Sequence, residues 1–133
     1  MTFVHGKNTF VSLNGSDISP FSKTTDWEQN ADEHDVTCYG KNSHVFAGGL
    51  KGGKCTVGGN YGNGTTGPHD VIQPLIGAVV ALVHRPEGTG TGKPQDTVNV
   101  LVKSYKESSP VADMVSWTVD LTFSDDVTSV NQP

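Results

Sequence analysis

Residues 115–124 read VSWTVDLTFS, in which apolar and polar side chains alternate without interruption. Alternation with a period of two is typical of a β-strand that has one face in the core and the other in water. The predicted core face holds Val115, Trp117, Val119, Leu121 and Phe123. The predicted wet face holds Ser116, Thr118, Asp120, Thr122 and Ser124. A strand of this kind within Val111–Ser124 favours a sheet with one solvated side.

Two other segments show the same half-buried pattern. In Phe21–Gln29, Asp26 and Glu28 fall on the polar side, whereas Trp27 falls on the apolar side. Thr97–Lys106 also alternates. Its inward positions are Val98, Val100 and Val102. Both segments are therefore predicted to be strands that turn an apolar face towards the core.

Shorter segments complete the predicted sheet. Asn14-Gly15 ends a first strand over Phe3–Leu13 and predicts a tight hairpin, because both central residues of a type I′ turn need positive φ. Ala78–Val83 is apolar on both faces and is predicted to be a central strand that is covered on both sides. The other predicted strands are Val36–Tyr39, which follows the polar stretch Asn30–Asp35, and Lys54–Tyr61.

One short helix is predicted over Pro68–Ile76, since proline suits the first helical position and Asp70 suits the first turn. Pro74 should shorten or kink this helix. The fold class predicted from these elements is mainly β, an antiparallel β-sandwich or partly open barrel with one short flanking α-helix. The last residues, Asp125–Pro133, are predicted to fray.

Length and charge exclude several classes of function. The chain of 133 residues predicts a single domain over 1–133, and its net charge of −5 lacks the basic excess that drives tight binding to DNA phosphates. No run of 18 apolar residues occurs, so a transmembrane helix is not expected. The first residues contain no signal-peptide core, which predicts synthesis in a reducing cytoplasm.

No motif predicts catalysis, a metal site or a cofactor. Cys38 and Cys55 each stand alone, without the paired short spacing of a zinc site, and are expected to be reduced thiols near the core. Residues 88–93, GTGTGK, lack the serine or threonine and the helix that must follow a phosphate-binding loop. The acidic cluster at 32–35, DEHD, lies in a polar stretch where nothing predicts the desolvation that tunes a catalytic group.

Three consecutive segments carry a family resemblance: DVTCYGK at 35–41, VFAGGLKGG at 45–53 and CTVGGNY at 55–61. In this order, after an opening hairpin and before a helix and paired strands, they resemble the tail tube (major tail) proteins of long-tailed bacteriophages. The resemblance covers nearly the whole chain. It departs from the family pattern at Cys38-Tyr39, where a phenylalanine-glycine step is common, and at Gly53, where an acidic or polar residue often follows.

The resemblance implies a virion structural protein rather than an enzyme. In that family, hexameric rings stack into a hollow tube that conducts DNA during ejection, and the inner sheets join into one wall around the lumen. The implied partners are further copies of the chain, other tail proteins such as the tape measure and terminator, and passing DNA that is not held tightly. The implied location is the virion tail, assembled in the cytoplasm of the host bacterium without membrane insertion.

Two groups of residues become candidates for that role. The glycine-rich segment Gly40–Gly53 is predicted to be a mobile loop that orders against the next ring. Its proposed contact residues are Lys41, Val45, Phe46, Leu50 and Lys51. The candidate lumen-facing residues are Asp26, Glu28, Ser116, Thr118, Asp120 and Thr122. Carboxylates on that wall would repel phosphate and keep DNA from sticking.

Other functions remain open at this point. A tail terminator, a head–tail connector and a capsid decoration protein are also small β-rich proteins of the virion. A carbohydrate-binding adhesion module is a third class, because exposed aromatic rings can stack on sugars. The aromatic candidates for such stacking are Trp27, Trp117, Tyr39, Tyr61 and Tyr105. Both tryptophans fall on apolar faces, which favours the core for them.

Overall fold

The computed structural model describes residues 3–133, and its strands form one antiparallel sheet. Within these residues the strands are β1 (Phe10–Leu13), β2 (Ser16–Asp17), β3 (Ser22–Asp35), β4 (Phe46–Asn60), β5 (Val79–Arg85), β6 (Pro94–Ser108), β7 (Ser116–Phe123) and β8 (Thr128–Asn131). Their order across the sheet is β2-β1-β5-β6-β7-β4-β3. The start of β6 also pairs with β8. β8 lies on the same side of β6 as β7, which pairs with the later residues of β6.

The sheet curls until strands that are distant in its order face one another. Trp27 of β3 stacks on His84 of β5, with ring centroids 4.8 Å apart, and lies equally close to Phe123 of β7. The space between holds the buried apolar side chains, among them Leu13, Val57 and Trp117. This curled sheet with a short helix confirms the predicted fold class.

The helix is short because proline interrupts it. The helix α1 spans Pro68–Ile72, and Ile72 is buried in the core. A 3-10 turn, Gln73–Leu75, continues it and contains Pro74, which cannot donate a helical hydrogen bond. No helix within residues 3–133 is long and apolar enough to span a bilayer.

The strongest local signals of the sequence are confirmed. In β7, Trp117, Val119 and Leu121 are buried, as the alternation predicted. The turn between β1 and β2 has positive φ at both Asn14 (53°) and Gly15 (82°). These features depend on neighbouring residues, which is why a local pattern predicts them.

Two expectations about the ends and centre of the chain are wrong. The segment expected to fray forms β8, and the side chain of buried Gln132 donates to the Gly88 carbonyl (2.8 Å) and accepts from the Gly90 N–H (3.1 Å). The strand β5, expected to be covered on both faces, leaves Val79 56% exposed. Its second face lies open because the described chain supplies no layer over that side of the sheet.

Trp117→Ala should lower the free energy of unfolding by about 3–5 kcal/mol, because it empties a large buried site. Trp117 is 1% exposed, and its indole N–H donates to the carbonyls of Phe21 and Asn60, both at 3.1 Å. Trp117→Phe keeps much of the volume and should lose less, about 1–3 kcal/mol, from the missing donor. Urea unfolding measures both; equal losses would contradict this account of the site.

Candidate functional site

A long hairpin extends beyond the body of the sheet. β3 and β4 pair along nearly their full lengths, from Ser22 opposite Gly59 to Asp35 opposite Phe46. β7 pairs with β4 only from Lys54 to Asn60. Among the described residues, the part of β4 before Lys54 and the part of β3 opposite it therefore pair only with each other. We call residues 29–53, which include the turn, the arm.

The arm corrects the prediction of a mobile loop over Gly40–Gly53. Residues 46–53 form strand, and only 36–45 form the turn, so the strand predicted at Val36–Tyr39 is wrong and the polar stretch 30–35 is strand instead. Glycines hide this strand from sequence reasoning because they lower strand propensity. Here they make room for cross-strand neighbours: a side chain at Gly53 would lie 2.7 Å from the Phe123 ring.

Hydrogen bonds fix the tip of the arm. The Asp35 carboxylate accepts from the backbone N–H (3.0 Å) and hydroxyl (2.6 Å) of Thr37, and the Thr37 oxygen accepts from the Val45 N–H (2.7 Å). The backbone of Val36 also donates to the Val45 carbonyl (2.8 Å). The Thr37 hydroxyl above all, and then the Thr37 backbone N–H, lower the pKa of Asp35. The tip is thus a defined turn that holds the two arm strands together.

The arm exposes large apolar side chains. The five residues predicted to contact another ring all lie on it, Lys41 and Val45 in the turn and Phe46, Leu50 and Lys51 on β4. Leu50 is 82% exposed and Phe46 54% exposed. Exposed apolar side chains of this size, on a segment that no other part of the described chain covers, indicate a contact surface.

The six residues predicted to face the lumen lie on one face of one sheet. Asp26 of β3 pairs with Thr56 of β4, which pairs with Asp120 of β7, which pairs with Ser104 of β6. Directly opposed residues share a face. The neighbouring row runs from Glu28 through Lys54 and Thr122 to Leu101. The structure therefore joins the polar sides of β3 and β7, which the sequence presented as separate strands. We call this surface of β3, β4, β7 and β6 the wet face.

Hydrogen bonds link the side chains of the wet face. The Asp120 carboxylate accepts from the hydroxyls of Thr56 (3.2 Å) and Ser104 (3.1 Å), one on each neighbouring strand. Lys54 lies 3.7 Å from Glu28. This ion pair is exposed and contributes little to stability. The surface is thus a hydroxyl-rich layer with its carboxylates partly engaged.

Sequence reasoning missed the lysines of this surface. Lys54 pairs with Glu28, Lys106 pairs with Thr118, and Lys103 is the exposed residue of a bulge in β6. Where β3, β4, β7 and β6 all pair, these three lysines match in number the three carboxylates of the wet face: Asp26, Glu28 and Asp120. The acidic excess of the whole chain is therefore not concentrated here. Strand pairing across the sheet is the signal that would have revealed them.

The sheet under the wet face has two free edges. β3 pairs only with β4, so its other side is unpaired within residues 3–133. β6 pairs with β5 only up to Leu101. At the next residue, Val102 accepts a backbone hydrogen bond from Gly77 and donates one to Ala78. Beyond Val102, only β7 pairs with β6 in the described chain. Edge strands of this kind present rows of N–H and C=O groups that can pair with another chain.

The cysteines do not form a site. Cys38 is exposed in the turn of the arm, which corrects the expectation that it lies near the core, whereas Cys55 is buried. Burial raises the pKa of the Cys55 thiol to about 12. No three histidine, cysteine, aspartate or glutamate side chains group into a metal site in the part of the chain that the structure describes. Of the five aromatic residues considered for sugar stacking, Tyr39 is fully exposed and Trp117 is buried.

Solved structures show the same architecture. The tail of an empty gene transfer agent particle, refined with C6 symmetry, has a chain that superposes with a TM-score of 0.79 at 15% identity, covering 96% of this chain and 99% of that one. The protein described here has the tail-tube fold. A chain from the virion of a native gene transfer agent particle gives a TM-score of 0.81 at 13% identity, over 96% and 99% of the two chains.

The tail tube of SPP1 also shares the tail-tube fold, with a TM-score of 0.78 at 13% identity over 98% of this chain and 80% of that one. No protein-family model matches the sequence, and no curated protein does. The tail-tube fold is therefore visible in the structure although overall sequence similarity is low.

Gly53→Ala should destabilise the base of the arm, because the added carbon would meet the Glu28 carbonyl and the Phe123 ring. The expected loss in unfolding free energy is about 1–3 kcal/mol, as for other overpacked sites. Gly48→Ala, where the added carbon meets nothing within 4 Å, is the matched control and should be near neutral. Urea unfolding with amide exchange of the arm measures both; similar behaviour of the two variants would refute the register.

Proposed function

We propose that this chain is a structural subunit of the tail tube of a phage or phage-like particle. Six copies form a ring, rings stack into a tube, and DNA passes through it. The observation that carries this proposal is the sheet under the wet face, which is solvated on one side and free at both edges. The likeness in fold to chains of assembled tails supports it.

In this proposal the wet face lines the passage. When one copy is rotated onto the next about an axis that runs roughly along the strands, each strand keeps its direction. Within one copy, β3 runs antiparallel to β6. The β3 edge of one copy therefore meets the β6 edge of the next in an antiparallel sense, which allows backbone pairing. Hydroxyls and balanced charges then surround the DNA, so the wall offers no basic patch that would hold phosphates.

The arm makes the contact between rings. Its apolar side chains need a partner surface, and an isolated two-stranded hairpin is only marginally stable in water. Docking on the adjacent ring covers Phe46 and Leu50 and supports the two strands. Lys41 and Lys51 add charged contacts at the rim of that surface.

The protein works in this proposal by assembly and performs no catalysis. Its partners are copies of itself, the tape measure inside the tube, the terminator at its end, and DNA that passes without tight binding. It is located in the virion tail after assembly in the cytoplasm of the host bacterium, and it does not insert into membranes.

Phe46→Asp combined with Leu50→Asp should abolish stacking but leave the subunit folded. Both side chains are exposed and lie outside the core, so the change removes apolar contact area between rings without making a cavity. Negative-stain electron microscopy should show rings or monomers in place of tubes, with an unchanged circular dichroism spectrum. Phe46→Leu with Leu50→Met keeps both positions apolar and should still stack. Normal tubes from the aspartate variant would refute the role of the arm.

A cysteine at Thr122 tests which face lines the passage. In a Cys38→Ser background, Cys55 stays unreactive at neutral pH because burial raises its pKa to about 12. In tubes of Thr122→Cys, a small maleimide should react with the new thiol. A maleimide attached to a polymer that is too wide for the passage should react at least about tenfold more slowly.

The control for this labelling is Asp70→Cys on α1, which is exposed and lies on the opposite side of the sheet. Both reagents should modify it in tubes, and both should modify either cysteine in the monomer. Rapid reaction of Thr122→Cys with the polymer reagent in intact tubes would place the wet face outside.

A further inference from the structure

The two free edges of the sheet carry opposite charges. β3 holds five carboxylates against one lysine, Lys23. These carboxylates are Asp26, Glu28, Asp32, Glu33 and Asp35. Asp26 and Glu28 lie on the wet face, and all five are exposed. From Asp26 to its end this edge strand is therefore acidic.

The edge at β6 is basic on the same side of the sheet. Lys106 lies on the wet face opposite Thr118, and Lys103 occupies the bulge between Val102 and Ser104. Both are exposed. The one acid of this half of the strand, Glu107, lies opposite Trp117, and its carboxylate contacts the His69 ring of α1 at 3.1 Å. The lysines therefore set the charge that this edge presents beside the wet face.

The acidic and basic groups lie at matching heights. Asp26 shares a cross-strand row with Ser104, between Lys103 and Lys106. Two residues along a strand span only about 6.6 Å. When the β6 edge of one copy approaches the β3 edge of another, the lysines of the first can thus reach Asp26 and Glu28 of the second.

We propose that these opposite charges select the way in which copies join. They favour β3 against β6, a head-to-tail joint that closes into a ring, and disfavour β3 against β3 or β6 against β6, the two joints of a two-fold dimer. Like charges across a joint oppose the wrong partner more strongly than opposite charges add affinity. This inference rests on the proposed function and adds the determinant of the lateral contact.

Charge reversal at each edge tests the proposal. One variant is Lys103→Glu with Lys106→Glu, which makes the facing stretches of both edges acidic, and the other is Asp26→Lys with Glu28→Lys, which makes the same stretches basic. Each variant alone should assemble only at protein concentrations at least about tenfold above those of the wild type. Sedimentation and negative-stain microscopy at low salt measure assembly, and circular dichroism confirms that each subunit is folded.

Mixing the two variants gives the decisive measurement. The acidic β6 edge of one variant then meets the basic β3 edge of the other, and the remaining joint keeps the native pair of charges. Alternating copies close into a ring with an even number of subunits, so an equimolar mixture should assemble within about threefold of the wild-type concentration. A mixture that fails although the wild type assembles would overturn the proposal.

Matched controls carry the same changes of charge away from both edges. These controls are Lys7→Glu with Lys93→Glu, and Asp17→Lys with Glu87→Lys, at positions that are exposed or, for Glu87, half-buried. They should assemble as the wild type does. Edge variants that assemble normally by themselves would overturn the edge proposal and leave the tube function standing. A wild-type chain that forms neither rings nor tubes at any concentration would overturn the proposed function itself.

Discussion

Unpaired backbone groups along the edges of a sheet are the constraint on which this structure depends. A curled sheet can satisfy them by closing on itself, yet the edge at β3 and the second half of β6 are not paired within residues 3–133. Natural proteins protect such edges or use them, because an open edge invites uncontrolled association. Here the edges flank a face that is already solvated. Copies joined at these edges would satisfy the backbone and enclose that face in one step.

The arm also contains strands whose outer backbone groups have no neighbouring strand in the described chain. Two strands that leave the sheet lose their neighbours and keep only the bonds between themselves, which rarely suffices in water. Glycines along β4 make the arm thin, and the hydrogen bonds of Asp35 and Thr37 close its tip. Exposed Leu50 on such a segment points to a partner that completes it. The arm and the edges thus point in different directions; in the proposed tube the edges would join copies around a ring and the arm would join one ring to the next.

The positions of the charged side chains on the sheet matter more than the net charge of the chain. The net charge of −5 suggested an acidic wall, but the lysines that lie on or beside the wet face balance its carboxylates. A balanced wall with many hydroxyls interacts weakly with a polyanion at any salt concentration, since few counterions would be released by contact. Separation of the acids to β3 and of the lysines to β6 gives the sheet a direction, which a uniform acidic surface would not provide.

The sequence by itself determined the elements whose signals are local: the alternation in β7 and β6, the Asn14-Gly15 turn, the short helix at Pro68 and the buried Trp117. It also named the arm residues and both polar strand faces as candidate surfaces. Only the tertiary structure decided that Asp26 and Asp120 share one face, that Phe46–Gly53 is strand, that the C-terminal segment pairs as β8, and that Val79 is exposed. The physical reason is that strand pairing joins residues far apart in the chain. A glycine-rich or polar segment becomes a strand when a partner supplies its hydrogen bonds, and an apolar strand is covered only if another layer is present; neither condition is encoded in neighbouring residues.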